Sequence, residues 1–207
     1  MNKFRFFLDF HKEERWLEHL ASQGWRLKKQ SIVYTFEPAP PEQANIKIDF
    51  RIFKKKQDFI DYRSLFEDSG WRHISGTKNS GNQYFMKTGG NGGEDIFSDA
   101  SSRAERYKRL SYMMLFFCAV FIPLFTNSMS RGTSGLDTFM NPKALYFTPG
   151  LWELSGFEFW RKFLFETPFA LMRGFSWGFS LLFFFAYIFL TLKAWILYRK
   201  AVNTDSE

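Results

Sequence analysis

Phe4-Arg5-Phe6-Phe7 returns as Phe50-Arg51-Ile52-Phe53, and Gly24-Trp25-Arg26 returns as Gly70-Trp71-Arg72. Both pairs share one displacement of 46 residues, from Phe4 to Phe50 and from Gly24 to Gly70. A single gap-free offset across two separate motifs marks a duplicated unit, and a repeat dictates architecture before any local pattern does. Inside each copy the periodicity changes in the same order. Ile46, Ile48, Phe50 and Ile52 alternate with Lys47, Asp49, Arg51 and Phe53, which predicts a strand with one buried face; residues 3–9 alternate in the same way. A helical stripe follows, Trp16, Leu17, Leu20 and Ala21 in the first copy and Phe59, Tyr62, Leu65 and Phe66 in the second. Gly24 and Gly70 then suit the left-handed position after a helix, with Trp25 and Trp71 packing back over the last turn.

Two more strands close each copy, carried by Ile32, Tyr34 and Phe36 in the first and by Tyr84 and Met86 in the second. The unit is strand–helix–strand–strand, twice. The predicted fold class is α+β: one six-stranded antiparallel sheet or half-barrel with both helices on one face and pseudo-two-fold symmetry. Thr88-Gly89-Gly90-Asn91-Gly92-Gly93 reads as a flexible linker, and Ser98 or Asp99 as the N-cap of a further helix.

Beyond the repeat the chemistry of the chain changes. The mean hydropathy of −0.27 averages a polar first half with an apolar second half. Of 207 residues 28 are Phe, and most of the excess falls after residue 110. No charged residue occurs from Leu110 to Ser130, or from Gly174 to Leu192. A hydrocarbon core of ~30 Å needs about 20 helical residues, so each run is long enough to cross. Pro123 would kink the first run, which membrane helices tolerate. The net charge of +7 gathers at Arg103, Arg106, Lys108 and Arg109 and at Lys193, Arg199 and Lys200, the outer shoulders of these runs. That placement argues for membrane orientation and against a nucleic-acid groove, and it predicts that both termini are cytoplasmic. Neither run carries a central charge of the kind that marks an ion pathway.

The resulting organisation is a cytoplasmic duplicated domain at 1–88, a flexible linker at 89–98, a juxtamembrane and first transmembrane helix at 99–130, an extracytoplasmic aromatic interfacial segment at 131–173, a second transmembrane helix at 174–198 and a cytoplasmic tail at 199–207. The segment 131–173 mixes Trp152, Phe157, Trp160 and Phe163 with Glu153, Glu158, Arg161 and Glu166. That mixture suits the interface plane, with a small folded cap as the alternative. The charged run after Phe6-Phe7-Leu8 leaves no signal-peptide core at the N-terminus.

Catalytic chemistry finds little purchase. Cys118 is the only cysteine, which excludes an intramolecular disulfide and a thiol-rich metal site. His11, His19 and His73 have no helical ligand spacing, and Asp9, Glu13, Glu14 and Glu18 read as a solvated helix start and face. No catalytic residues, metal or cofactor are expected, and the chain is not read as an enzyme. One constellation invites a binding role. Arg5 and Arg51 are equivalent in the repeat, placed on the sheet face away from the helices, with Asp49 and Glu37 nearby. In a curled sheet the two arginines would grip an anion; on a flat sheet they are solvent-facing residues.

Met1-Asn2-Lys3-Phe4-Arg5-Phe6-Phe7, Glu14-Arg15-Trp16-Leu17, Gly24-Trp25, Ile48-Asp49-Phe50-Arg51, Phe66-Glu67-Asp68-Ser69-Gly70-Trp71 and Ile96-Phe97-Ser98-Asp99 resemble a family of small Gram-positive bacterial membrane proteins. That family is a domain of unknown function (twenty-eight-twelve), whose members are often encoded beside PadR-type transcriptional regulators. The resemblance covers residues 1 to about 109 and implies a regulatory or envelope-response role, with no catalytic residues to carry over. In topology alone the duplicated unit also resembles bacterial effector-binding domains with a central cleft, a fold-level analogy. The function expected is a multi-pass, membrane-anchored sensory or interaction module that docks a cytosolic regulatory protein. The alternative is a small-molecule effector in the sheet cleft. Expected partners are the bilayer, that cytosolic protein and a second copy of the chain, but no nucleic acid.

Overall fold

The computed structural model describes residues 1–89, 93–130 and 141–203, and divides into two compact units. The first is Met1–Tyr112 with Thr191–Glu207; the second is Met113–Leu190.

In the first unit the order is β1 (Asn2–Lys3), α1 (Phe10–Ser22), β2 (Trp25–Gln30), β3 (Tyr34–Pro38), β4 (Ile46–Phe50), α2 (Lys56–Asp68), β5 (Trp71–Ser75) and β6 (Asn82–Lys87). The two helices begin and end at positions displaced by the same 46 residues, Phe10 to Lys56 and Ser22 to Asp68. Even the irregularities repeat. The β2–β3 register slips between Leu27 and Lys29, and the β5–β6 register slips between His73 and Ser75, one repeat later. Gly24 and Gly70 sit just past their helices at φ 82° and 80°, where a Cβ would be strained.

The expected single six-stranded sheet is instead two three-stranded antiparallel sheets, ordered β1-β3-β2 and β4-β6-β5. Each copy pairs its own strands, and where β2 meets β5 the Gln30 backbone N–H donates to the Ser75 side chain, Oγ, at 2.8 Å. The first strand is also shorter than the alternation predicts. Residues 4–9 leave the sheet, and Phe4 and Phe6 are exposed.

The core follows the period-two faces. Tyr34, Phe36, Ile46, Ile48, Tyr84 and Met86 are buried, while Ile32 lies in the β2–β3 turn and is exposed. Around Trp71, a second cluster joins Phe53, Tyr62 and Phe85, with Phe59, Phe66 and Ile96 packed against it. On α2 only Tyr62 is fully buried, and Leu65 is exposed.

The stretch predicted to be a linker at 89–98 is ordered in its second half. Ile96 packs on the Trp71 cluster, Asp95 bonds Arg103 at 2.8 Å and the Glu94 carbonyl accepts from Asn45. Residues 90–92 lie outside the described ones. Asp99 caps the next helix, α3 (Ala100–Ser130), by accepting from the Ser102 N–H at 2.6 Å.

The second unit contains the rest of α3, two short 3-10 turns (Pro142–Leu145 and Leu151–Glu153) and most of α4 (Gly156–Asn203). Position 174 is not an element boundary, since α4 runs through it. Residues 145–148 fold back on α4: Glu166 accepts from the Phe147 and Thr148 backbones and from Arg173, and Arg173 donates to the Leu145 carbonyl. Tyr146 packs on Trp152 and Phe163 at centroid distances of 5.3 and 5.2 Å. Residues 131–140, the first part of the expected extracytoplasmic segment, lie outside the described ones. Among the described residues one helix, α4, is long and apolar enough to cross a membrane. In α3 the side chains of Leu124, Phe125 and residues 127–130 lie outside the described ones.

Candidate functional site

Among the described residues no strand pairs with the outer edge of β4, so Ile46, Ile48 and Phe50 each turn backbone groups away from the sheet. Unpaired groups of this kind are costly when buried. Side chains from two helices supply the partners. Glu18 accepts from the Ile46 N–H at 3.1 Å and Glu14 accepts from the Ile48 N–H at 3.0 Å. The spacing is geometric: four helical residues rise about 6 Å, close to a two-residue step of a strand. From α3, Arg106 donates to the Ile48 carbonyl and Arg109 to the Phe50 carbonyl, each at 2.6 Å.

The same arginines then meet the carboxylates. Arg106 donates to Glu14 at 2.5 Å, with both side chains almost wholly buried. Arg109 donates to Asp49 at 2.5 Å, and Tyr62 and the Phe50 N–H donate to the same carboxylate at 2.8 Å. Tyr107, between the arginines, donates to Asp9 at 3.0 Å and packs on Phe10. Three consecutive contacts of α3 therefore clamp it to the duplicated domain. The Arg106 guanidinium also lies over the rings of Phe10, Phe97 and Tyr107.

Beside the clamp, Glu13 joins the two copies. Its Oε1 accepts from Tyr34 on β3 and from Tyr84 on β6, both at 2.6 Å, so one carboxyl pins the central strand of each sheet. Glu13 and Glu14, expected on a solvated face, are both buried. Their proton affinities diverge. Burial pushes Glu13 up to about 7, against the pull of its tyrosine bonds, and the Glu14 charge adds to the rise. Burial also raises Glu14, but the His11 bond and the Arg106 charge and bond outweigh it and hold Glu14 below the usual range. Burial and the Glu13 charge raise both tyrosines.

Glu13 therefore has a pH signature. An acid whose folded pKa is raised keeps its proton where the unfolded chain has lost it, so stability falls as pH rises from about 4.5 to about 7. Glu13→Gln keeps the acceptor and removes the titration. The variant should gain on the wild type by on the order of 2–4 kcal/mol between pH 4.5 and pH 8, and match it below that window. Denaturant unfolding of the full chain in detergent across this range measures the difference; a difference that stays flat with pH would refute the assignment.

The residues singled out by sequence are not gathered in one cleft. Arg5 lies over Phe7 and Trp16, and Arg51 lies over Tyr62, the Trp16 equivalent. Both arginines are exposed, and both face their helix rather than the opposite side. Asp49 is buried in the clamp, with Arg51 Nε at 3.9 Å. Glu37 is elsewhere, on β3, paired with Lys28 at 3.6 Å. The cavity next to Arg51, about 240 Å³, is walled by Asp49, Tyr62, Phe97 and Arg109 and does not reach Arg5. Of the repeat tryptophans, Trp71 is buried and Trp25 only half so. No group of three His, Cys, Asp or Glu side chains among the described residues is placed to hold a metal.

A family model described as "Protein of unknown function (DUF2812)" matches residues 9–119. The chain belongs to this family. The match runs from the residue that caps α1 to beyond Arg109, so it takes in both sides of the clamp. No curated protein and no solved structure matches the chain.

Proposed function

We propose that the protein is a membrane-anchored, non-enzymatic interaction module whose duplicated domain docks a cytosolic partner and holds it at the inner face of the membrane. The clamp carries this reading. Arg106–Glu14, Arg109–Asp49 and Tyr107–Asp9 fasten the first turns of α3 to the domain, so a partner bound there is presented by a rigid mount. A catalytic site would need an accessible reacting group; here the charged groups of the cluster are spent on one another and on the β4 backbone.

On this reading α3 and α4 both cross, with both termini in the cytoplasm and residues 141–155 outside as a small cap folded on α4. The uncharged run Leu110–Ser130 and the basic shoulders support it. At about 1.5 Å per residue α4 is roughly 70 Å long, so only part of it lies in a ~30 Å core. The docking surface is a hollow of about 890 Å³ between the end of α2 and residues 93–98. Its floor is Leu65, Phe66, Trp71 and Ile96 and its rim carries Glu67, Asp68 and Asp95, so it fits an apolar segment flanked by Lys or Arg. A PadR-type regulator, implied by the family resemblance, is the first partner to try. The effector alternative has less behind it, because Arg5 and Arg51 stack on separate rings and do not share the cavity next to Arg51.

A photo-crosslinking residue in place of Leu65, in the full chain in intact cells, should give a discrete adduct with a cytosolic protein. A reporter active only outside the cytoplasm should be on when fused after residue 150 and off after residue 205. Adducts with lipid alone at position 65 would sink the docking proposal, and an inverted reporter pattern the topology.

A further inference from the structure

The repeat's signature motif lies where each copy leaves its first strand for its helix. These two connectors, residues 4–9 and 50–55, are brought to one end of the domain by the clamp. Tyr107 bonds Asp9 in the first, and Arg109 bonds the Phe50 carbonyl in the second. Leu110, where the uncharged run begins, is the next residue. The β2–β3 turn joins them, because Lys3 pairs with Tyr34 and so sets the end of β1 beside that turn.

This end is apolar and basic at once. Phe4 is 75% exposed, Phe6 67%, Ile32 81% and Ile52 50%. Phe6 and Ile52 are repeat equivalents, so the exposure is duplicated along with the motif. Between them stand Arg5 and Arg51, each stacked on a ring that holds its guanidinium at the surface. Lys54 and Lys55 end the second connector, Lys56 begins α2, and all three are exposed. Solitary exposed apolar residues need no explanation, but four at one end of a small domain, set among like charges, mark an interaction surface.

We propose that this end is a lipid-binding face: the two connectors and the β2–β3 turn seat Phe4, Phe6, Ile32 and Ile52 in the headgroup region of an anionic leaflet, and the arginines and lysines bind its phosphates. Charge selects the occupant. A neutral partner would gain nothing from five basic side chains, whereas the cytoplasmic leaflet is anionic and attracts basic segments next to membrane helices. The inference rests on the proposed entry of the Leu110 run into the bilayer. It adds that the domain lies on the membrane in a set orientation, leaving the hollow at the end of α2 free.

The test uses the full chain with Cys118→Ser, reconstituted in nanodiscs of phosphatidylcholine alone or mixed with phosphatidylglycerol. An environment-sensitive dye is placed by Phe6→Cys, Ile52→Cys, Asp68→Cys or Leu115→Cys, one at a time. With phosphatidylglycerol the dye at 6 and 52 should shift to the blue and be quenched by lipid-borne quenchers, while 68 stays aqueous. High salt should reverse the shift. Lys54→Gln, Lys55→Gln and Lys56→Gln should each lower the ratio of lipid-bound to free domain about fivefold. Aqueous signals at 6 and 52 in both lipids would overturn the lipid face. So would a shift that needs added cytosolic protein and ignores lipid charge. The dye at 115 separates the two claims: if it is quenched while 6 and 52 are not, the crossing stands and the lipid face falls. If 115 is also aqueous, the crossing itself fails.

Discussion

Replacing Arg106 by alanine should destabilise the duplicated domain by about 3–5 kcal/mol, the usual cost of removing one partner of a buried ion pair. Arg106 and Glu14 are both about 2% exposed, so the stranded carboxylate has no water to turn to. The Ile48 carbonyl loses its partner in the same step. Glu14→Gln in the Arg106→Ala background should recover part of the loss, because the neutral amide no longer leaves a buried charge. Hydrogen exchange at the amides of residues 46–50 in the full chain should report the opening. A loss under about 1 kcal/mol, or a double variant no better than the single one, would show that the clamp is not buried as described.

Trp71→Ala should cost a similar 3–5 kcal/mol, and Trp25→Ala clearly less, although the two are equivalent in sequence. Trp71 is 2% exposed in the cluster with Phe53, Tyr62 and Phe85, and Ile96 closes over that cluster from beyond the repeat. Trp25 is only half-buried. Thermal unfolding of the two variants in the same detergent compares them directly. Equal losses would mean that the internal symmetry governs burial more than the packed 93–98 segment does.

The duplication was legible in the sequence, in its 46-residue displacement, in the glycines that follow the helices and in the strand–helix–strand–strand order of each copy. Such features are set by local periodicity and recur wherever the local pattern recurs. The sheet count was not legible. Whether two copies share one sheet is decided where β2 and β5 meet, and there the Gln30 backbone N–H donates to the Ser75 hydroxyl and not to a strand carbonyl, a bond with no sequence pattern of its own. The clamp escaped for a related reason. Arg103 to Arg109 has the look of a positive shoulder, and charge counting treats all its members as solvated. Arg106 instead bonds a residue 92 positions earlier. A signal did exist. Glu13 occupies the apolar stripe of α1 with Leu17, Leu20 and Ala21, where a solvated carboxylate has no place. The pairing of Arg5 with Arg51 was sound as symmetry and misleading as a site, since each copy of the motif stacks its arginine on its own helix.

Under the proposed membrane anchoring, the closed edge of β4 has a further consequence. Chains held in a membrane meet at high local concentration, and an open strand there would invite copy after copy to stack on it. Here β4 is sealed by carboxylates and guanidiniums, β2 and β5 approach each other through Gln30 and Ser75, and the remaining edge, β1, is two residues long. The domain can be crowded without becoming a template for its neighbours.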